Sequence, residues 1–369
     1  MSQAVLIVGG TARAAAGSAR RAGWCVRAID PFGDRDLRQI AEYRPCPFES
    51  FPQALPEQVG GFPPGPFLYT GGLENHPDVL SKLMRSRPLV GNPPEVLAKV
   101  RDPFWLQRTL ALHGHAFPRT LPGSSPLKAG HRWLRKSLTS AGGLGVRMAD
   151  ASDCDTEGYL QELVEGSPCS AVYFSDAEGV TFLGCTEQLI GQDWLHTSGY
   201  QYCGTIGPMS FPPAVVARCQ DLGCVLHEAS GLRGLWGVDF LLQPSEVIAI
   251  EVNPRYTASI EVLELAQRRS AFGEPSDFST PSQSRTIGKA IYFAPHALRF
   301  PYSGAWDDDL SREWEPWIIP GHADIPAAGE RIEAGRPVLT FFAEARTREE
   351  CEAKLRDRAR ELDRLMETP

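Results

Sequence analysis

Two neighbouring apolar runs of this chain each carry a carboxylate, and this pattern constrains the fold more than any other. Asp239 interrupts the run 236–242, and Glu251 lies in the run 247–255. A turn at 244–246 predicts a hairpin in which Asp239 lies opposite Glu251. Like charges at directly opposed positions destabilise a strand pair. A bound cation would compensate for that repulsion.

The side chains around this pair predict a magnesium site. Asn253 lies two residues beyond Glu251 and therefore shares its face of the strand. Two carboxylates and an amide oxygen are hard ligands of the kind that Mg²⁺ prefers. In another register the carboxylates would lie apart on a solvated face of the sheet. The residues of the hairpin alone leave both interpretations open.

Length, charge and cysteines narrow the class of protein. A chain of 369 residues predicts about two to four structural units. A net charge of -8 gives no basic surface for nucleic acid, and no run approaches the ~18 apolar residues of a membrane helix. Nine cysteines without a C-x-x-C pair favour reduced thiols. We therefore expect a cytoplasmic protein without nucleic-acid or membrane partners.

The order of predicted strands and helices divides the chain into four parts. Residues 1–94 alternate strands and helices, which predicts a Rossmann-like unit with a doubly wound parallel sheet. Residues 95–168 begin with a helix and contain a glycine-rich turn, and residues 169–269 contain strand pairs, a helix and the hairpin. A Ser/Pro-rich stretch at 270–286 precedes residues 287–369, which predict a small β-rich unit and a charged helix.

A glycine-rich turn after Lys136 is a candidate phosphate site. The strand before the turn ends in Lys136, and the turn contains Ser140, Gly142 and Gly143. Glycines let backbone N–H groups approach a phosphate, and a lysine adds positive charge. The G-K-[ST] sequence of a P-loop is absent, so a mobile hairpin turn remains the alternative.

The polar pair Gln161 and Glu162 lies in the otherwise apolar stretch 159–164, which ends near Gly166. Such a segment could present backbone edges and one amide to a flat base. An ordinary transition from strand to turn is the alternative interpretation.

An aromatic loop is a candidate substrate site. Trp194, His196, Tyr200 and Tyr202 lie in the glycine-rich segment 191–208. One hypothesis is a pocket that recognises an acceptor amine. The alternative is a plug for the core.

The N-terminal strand offers a rival nucleotide site. It ends in Gly9 and Gly10, and Asp30 follows about 20 residues later, where a dinucleotide fold places its ribose acid. The G-x-G-x-x-G pattern fails at Thr11 and Ala14. We therefore expect a structural Rossmann-like unit that contributes to substrate binding and not to NAD binding.

Together these motifs resemble the ATP-grasp superfamily of ligases. Their order is a lysine before a glycine-rich loop, a Q-E-φ-φ-E-G segment, and then D…E-x-N-P-R. The spacing of Asp239 and Glu251 is similar to that of the biotin-carboxylase-like branch, within which the chain resembles the predicted ATP-dependent carboligases. The resemblance spans roughly residues 1–345. It implies a pre-ATP-grasp domain, a small subdomain with a lid, a large subdomain with the metal site, and a C-terminal unit, at residues 1–94, 95–168, 169–269 and 287–369.

The resemblance also implies site residues and cofactors. ATP would bind with Mg²⁺ (or Mn²⁺), held by Asp239, Glu251 and Asn253, and Arg255 would stabilise the transferring phosphoryl group. Lys136 would hold the ATP phosphates and assist catalysis. The remaining nucleotide contacts that it implies are Lys99, Ser140, Gly142, Gly143, Gln161 at the adenine amino group, the hinge backbone at Glu162 and Val164, and Glu165.

Three positions depart from the family pattern. Pro103 stands where members usually carry a lysine, so Lys99 or Arg101 would have to replace it. The ribose glutamate after the hinge glycine is missing, and Glu165 is its candidate replacement. Ser259 stands where biotin carboxylases carry the base for bicarbonate, which argues against carboxylation.

The resemblance therefore implies an ATP-dependent carboxylate–amine ligase that forms an amide through an acyl phosphate and releases ADP. Its partners would be a small carboxylate and a small amine, and a role in cofactor biosynthesis, similar to tyramine–glutamate ligation, is an analogy. The alternatives are biotin-carboxylase-like or carbamoyl-phosphate-type chemistry, and a degenerate ATP-binding protein without activity. The sequence does not decide the oligomeric state, and a homodimer is compatible with it.

Overall fold

The structure, a computed structural model, describes residues 3–127, 130–139, 142–150, 158–244, 246–273, 275, 278 and 285–366. Within these residues the strands form a parallel sheet of four strands, further sheets of eight and four strands, and a two-stranded ribbon. No helix in these ranges is long and apolar enough to cross a membrane. The predicted combination of α/β and α+β architecture is confirmed.

Alternating strands and helices build the parallel sheet of the N-terminal unit. Its elements are β1 (Ala4–Val8), α1 (Arg13–Arg21), β2 (Cys25–Asp30), α2 (Leu37–Ile40), β3 (Glu42–Pro45), α3 (Leu55–Gln58), β4 (Phe67–Tyr69) and α4 (Pro77–Met84). The strand order is β3-β2-β1-β4. Val5 and Ile7 pack in one apolar cluster and Leu6 and Val8 in another, so β1 is buried on both faces, as parallel strands usually are.

A proline restarts the helix that follows this unit. The next elements are α5 (Pro94–Val100), α6 (Pro103–Leu112), β5 (Thr120–Pro122), β6 (Trp133–Lys136), β7 (Arg147–Met148) and β8 (Tyr159–Glu162). The Asp102 carboxylate caps α6 by accepting the Phe104 N–H at 2.8 Å, and Pro103 occupies the first helical position, where a missing N–H costs nothing. The four strands form an antiparallel sheet in the order β5-β8-β6-β7.

The remaining strands build the large sheet. The elements are β9 (Ser167–Ser175), β10 (Val180–Ile190), β11 (Tyr202–Gly207), α7 (Pro213–Ser230), β12 (Gly234–Leu242), β13 (Val247–Asn253), α8 (Ala258–Gln267), β14 (Thr286–Phe293), β15 (Leu298–Arg299), α9 (Asp307–Ser311), β16 (His322–Ala323), β17 (Arg331–Ile332), β18 (Pro337–Ala345) and α10 (Arg348–Met366). The order is β13-β12-β9-β10-β11-β14-β18-β16, and β15 pairs with β17. Short 3-10 helices lie at Val59–Gly61, Leu73–Asn75 and Asp193–Leu195.

The strands predicted as a small C-terminal unit extend this large sheet. β14 pairs with β11 through Gly204 and Ala290, and β18 pairs with β14. An uncovered edge strand would present unpaired backbone groups, and β14 covers that edge of β11. On α10, Cys351 and Leu355 are buried in an apolar cluster with residues of these strands. The predicted boundary at 287 therefore does not separate two sheets.

Candidate functional site

A cavity of about 650 Å³ opens between the β5–β8 sheet and the β12–β13 hairpin. Its walls come from segments that lie far apart in the sequence. The predicted site residues that line it are Lys136, Gly142, Gly143, Gln161, Glu162, Val164, Glu165, Tyr200, Tyr202, Asp239, Glu251, Asn253 and Arg255. The fold thus brings most of the predicted residues together.

The hairpin has the predicted register at the carboxylates. Asp239 lies directly opposite Glu251, and Gly237 pairs with Asn253. Beyond Asp239 the register shifts, because Phe240 pairs with Ala249. This β-bulge was not predicted, and bulges commonly change the direction of side chains beside a site.

The two carboxylates lie in an environment that disfavours their charge. Burial raises the pKa of Asp239, although hydrogen bonds, including one from Asn253, oppose the shift. Burial among the protein atoms around the cavity raises the pKa of Glu251, and the neighbouring Asp239 charge raises it further, while Lys136 lowers it. The Glu251 side chain is itself exposed to the open space of the cavity. A cation entering this space would favour the charged form of both groups.

The donor set fits a hard divalent cation. Among the described residues no three His, Cys, Asp or Glu side chains lie together as a metal-binding group, so an ion here would depend on two carboxylates and an amide. The Asn253 Nδ2 donates to Asp239 Oδ2 at 2.9 Å. Its Oδ1 has only a long contact, 3.4 Å, with an Arg255 nitrogen. These oxygens match the chemistry of Mg²⁺ and not that of softer metals.

Lys136 connects the candidate adenine segment with the carboxylates. Its Nζ donates to Gln161 Oε1 at 2.6 Å. Burial lowers the pKa of Lys136, whereas the charges of Glu251 and Asp239 act to raise it. Gln161 is 1% exposed, and its Nε2 has no hydrogen-bond partner in the described part of the chain. The amide nitrogen, and not the oxygen, is therefore the Gln161 group left for a ligand.

The hinge backbone is partly used within the protein. The Glu162 N–H donates to the Arg119 carbonyl at 2.8 Å, and its carboxylate lies 2.8 Å from His131 Nδ1. The Glu162 N–H is therefore used within the protein, and the predicted hinge role of the Glu162 backbone stays a prediction. Val164 and Glu165 line the cavity, and Glu165 is exposed.

The glycine-rich lid lies against the aromatic loop. Gly142 and Gly143 have φ values of 63° and 74°, which non-glycine residues rarely adopt. The Gly142 carbonyl accepts the Tyr202 N–H at 2.9 Å, and a Cβ at Gly143 would overlap the Tyr200 carbonyl. The predicted lid residue Ser140 lies outside the described residues.

Arg101, and not Lys99, reaches the cavity. Lys99 is exposed near the end of α5 and is not among the lining residues, whereas Arg101 is. An Arg101 terminal nitrogen donates to Asn75 Oδ1 at 2.6 Å and to the Leu138 carbonyl at 2.9 Å. Of the two predicted substitutes for the missing lysine, the geometry favours Arg101.

The aromatic loop is divided between the cavity and helix α10. Tyr200 and Tyr202 line the cavity, but Trp194 and His196 do not. The His196 Nε2 lies 2.7 Å from Asp363 Oδ1 of α10, and an arginine of the same helix lies over the Trp194 ring. Trp194 and His196 therefore attach the loop to α10 and do not form the predicted substrate pocket.

Arg255 depends on a partner that the sequence did not reveal. Its Nε donates to Glu74 Oε1 at 2.7 Å. Burial acts to lower the pKa of the Arg255 guanidinium, but the Glu74 carboxylate and the charges of Glu251 and Asp239 together outweigh it, and the pKa is raised. Glu74 lies in a loop of the N-terminal unit, and no local motif marks it as a partner.

The rival nucleotide site is closed. Asp30 is fully buried, and its carboxylate accepts the N–H groups of Ala12 and Gly33, both at 2.8 Å. It therefore caps the start of α1 from the neighbouring strand, and no oxygen is left exposed for a ribose.

Part of the chain that builds this cavity is similar in sequence to a known family. Residues 100–259 match the family model of the ATP-grasp domain. No curated protein sequence matches the chain significantly.

Solved structures share the fold of nearly the whole chain. L-amino acid ligase from Bacillus licheniformis is 14% identical, with a TM-score of 0.68 and 96% of each chain covered. N5-carboxyaminoimidazole ribonucleotide synthetase from Thermus thermophilus is 16% identical, with a TM-score of 0.68 and 99% of each chain covered. Biotin carboxylase from Campylobacter jejuni is 13% identical, with a TM-score of 0.70, covering 96% of this chain and 90% of its own.

Proposed function

Since residues 100–259 match the family model of the ATP-grasp domain and nearly the whole chain shares the fold of an amino acid ligase and a ribonucleotide synthetase, we propose that the protein is an ATP-dependent carboxylate–amine ligase. One observation carries the proposal: Arg255 and the opposed carboxylates Asp239 and Glu251 line the same cavity as Lys136. A binder of ATP without activity would not require a fixed arginine beside the metal ligands.

Different cavity residues would bind the metal ion, hold the phosphates and stabilise the transferring phosphoryl group. Asp239, Glu251 and Asn253 would hold Mg²⁺, which when bound neutralises charge on the phosphate oxygens. Lys136 and the lid would hold the phosphates. Arg255 is a fixed cation, and it would stabilise the charge that builds up on the transferring phosphoryl group.

The proposed reaction has two steps. A carboxylate oxygen of the substrate attacks the γ-phosphorus of ATP, which releases ADP and gives an acyl phosphate. The amine nitrogen then attacks the acyl carbon, phosphate leaves, and the nitrogen loses a proton to give the amide. The hydrogen bond between Gly142 and Tyr202 places the described part of the lid at the cavity, where it would help to keep water from the acyl phosphate.

Ser259 favours an amide over a carboxylation product. Its Oγ accepts a hydrogen bond from Thr186 Oγ1 at 2.8 Å. A hydroxyl in this position cannot take the proton of bicarbonate as a carboxylate would. The tyramine–glutamate type of substrate pair, a role in cofactor biosynthesis, a cytoplasmic location and a homodimer stay predictions.

A screen of amino acids, other carboxylates and amines for release of ADP from MgATP tests the proposal. We expect release to require both a carboxylate and an amine. Release that depends on bicarbonate alone would favour carboxylation instead. ATP binding without turnover on any pair, under conditions in which the protein is folded, would favour the degenerate binding protein.

A further inference from the structure

The turn that carries Asn253 and Arg255 is held by the N-terminal unit. The carbonyl of Pro254, between them, accepts the Tyr69 hydroxyl at 3.1 Å and Asn92 Nδ2 at 2.9 Å. Both donors are buried. The turn is therefore fixed by hydrogen bonds from outside the domain that contains it.

Glu74, also in the N-terminal unit, holds the Arg255 side chain through an ion pair. Its carboxylate is 1% exposed, and the Arg255 Nε lies 2.7 Å from its Oε1. Burial acts to raise the pKa of Glu74, but the charge and hydrogen bond of Arg255, a backbone hydrogen bond and the Arg101 charge together outweigh it, and the pKa is lowered. Gly72, with φ of 99°, allows the chain to turn into the short 3-10 helix that presents Glu74. Glu74 does not line the cavity.

The other contacts of Arg255 are weaker. One terminal nitrogen donates to the Tyr256 carbonyl at 3.1 Å, and the other lies 3.4 Å from Asn253 Oδ1. A long side chain with rotatable bonds needs a strong partner to keep one orientation. The short bond to Glu74 supplies it through Nε, and it leaves one terminal nitrogen beside Asn253 Oδ1.

The next residue of the same loop holds the second cavity arginine. Asn75 Oδ1 accepts from Arg101 at 2.6 Å. Its Nδ2 donates to the carbonyl of Thr139, at the base of the lid, at 2.8 Å. Two consecutive residues of the N-terminal unit therefore contact both cavity arginines and the lid.

We propose that Glu74 is a positioning residue for phosphoryl transfer: through its ion pair it fixes the Arg255 guanidinium beside the hairpin carboxylates. The N-terminal unit thus completes the ATP site of the neighbouring domain. This inference rests on the proposed function for the role of Arg255, while the ion pair itself stands on geometry. Glu74 does not line the cavity, so it acts through its arginine partners. The contact with Arg255 is short, at 2.7 Å, whereas an Arg101 nitrogen lies 4.0 Å from the same carboxylate oxygen.

The first test compares Glu74→Gln, Glu74→Asp and the matched control Glu57→Gln, an exposed glutamate of the same unit. A misplaced catalytic group can cost about 100-fold in rate, so we expect kcat to fall about 100-fold in Glu74→Gln. Glu74→Asp, which keeps the charge, should recover part of kcat, and the control should match the wild type. Wild-type kcat in a folded Glu74→Gln protein would overturn the proposal. If Glu74→Gln does not fold, Glu74→Asp carries the test, with a kcat loss that exceeds any change in KM.

A second test does not require turnover and so separates this inference from the proposed function. Stabilisation by MgATP is measured by thermal unfolding for the wild type, Glu74→Gln, Arg255→Ala and the double variant. We expect Glu74→Gln to reduce the MgATP shift when Arg255 is present and to have a much smaller effect in the Arg255→Ala protein, where the longer contact with Arg101 is left. Equal losses in both backgrounds would overturn the positioning role. Absence of turnover in the wild type, with this non-additivity retained, would reject only the ligase proposal.

Discussion

Two glutamates ten positions apart, Glu251 and Glu261, have side-chain pKa values that their surroundings shift in opposite directions. Glu261, on α8, is 2% exposed, and it binds Arg13 and accepts Lys289 Nζ at 2.6 Å. Burial acts to raise the pKa of Glu261, but the surrounding cations, with Arg13 and Lys289 contributing most, together outweigh it and hold the pKa well below its usual range. Glu251 faces the cavity, and burial and the Asp239 charge raise its pKa.

This difference in pKa shift distinguishes a carboxylate of the structural scaffold from a carboxylate of the candidate site. A buried carboxylate with matched cations is satisfied by the protein and joins structural elements, here the N-terminal unit, α8 and β14. A carboxylate that repels its neighbour is satisfied only when something else binds, and strongly perturbed groups in a cavity are typical of functional sites. At these two glutamates the direction of the pKa shift, and not burial alone, distinguishes the two roles.

The largest expected effect is on catalysis at Glu251. Glu251→Gln removes one anionic ligand, so we expect turnover to fall by about 1000-fold, at the upper end for loss of one electrostatic group in an active site. The unliganded fold should stay intact or gain slight stability, because a like-charge contact disappears. Steady-state ADP release and thermal unfolding measure the two effects.

The matched control for this variant is Glu246→Gln, an exposed glutamate in the turn of the same hairpin. It should keep wild-type turnover and stability. A Glu251→Gln protein that remains active, or that fails to fold, would contradict the assignment of Glu251 to the site.

The converse change is Glu261→Gln. Removal of one partner from a buried ion pair leaves uncompensated charge and typically costs about 3–5 kcal/mol. We therefore expect a loss of this size in the free energy of unfolding, measured by urea titration. A variant as stable as the wild type would show that Glu261 is not part of the scaffold and would remove the contrast with Glu251.

Lys136→Ala should have a smaller effect, confined to the liganded protein. A ligand at 100 times its Kd stabilises a folded protein by about 2.7 kcal/mol. Loss of the Lys136 charge should reduce the stabilisation by MgATP, as measured by thermal unfolding, with little change without ligand. An unchanged shift would remove Lys136 from the ATP site, and Lys99→Ala, an exposed residue, serves as the control.

The smallest expected effect is a pH dependence of opposite sign at the two glutamates. The raised pKa of Glu251 means that its contribution to stability is present below its ordinary pKa of about 4.3 and is lost as pH rises through the folded value. Because the pKa of Glu261 is lowered in the folded protein, its contribution to stability is present above the ordinary pKa of a glutamate. That contribution is lost as pH falls through the folded value. A tenfold difference in proton affinity between the folded and unfolded protein corresponds to about 1.4 kcal/mol.

We therefore expect Glu251→Gln to gain stability relative to the wild type as pH rises above about 4, and bound magnesium with an ATP analogue to abolish that gain. Urea titrations of both proteins between about pH 4 and pH 8 measure the difference. A difference that is constant with pH would show that Glu251 is not perturbed in the folded protein.

The sequence predicted the parts of the site that depend on local pattern. The turn near residue 245 and the apolar strands gave the register that sets Asp239 opposite Glu251. The sequence also predicted that Lys136 ends the strand before the glycine-rich turn. The structure has this strand end, and it lies at the cavity. The bulge beyond Asp239 was not predictable, since no glycine or proline marks it.

Long-range partners explain the predictions that differ from the structure. Trp194 and His196 resemble pocket residues by composition, but their partners lie on α10, more than 150 positions away. Glu74 has no local signature, because its role depends on packing between the N-terminal unit and the turn of Arg255. Asp30 has the position of a ribose acid, and only the structure shows that backbone groups use its carboxylate.

Binding of Mn²⁺ together with a non-hydrolysable ATP analogue, followed by electron paramagnetic resonance, tests the central claim most directly. Mn²⁺ accepts the same oxygen ligands as Mg²⁺, and its signal reports binding without any knowledge of the substrates. We predict that the wild type and Glu246→Gln bind Mn²⁺ with the analogue, that Mg²⁺ displaces it, and that Glu251→Gln binds it at least about 10-fold more weakly. Equal Mn²⁺ affinity in all three proteins would contradict a cation site at Asp239 and Glu251.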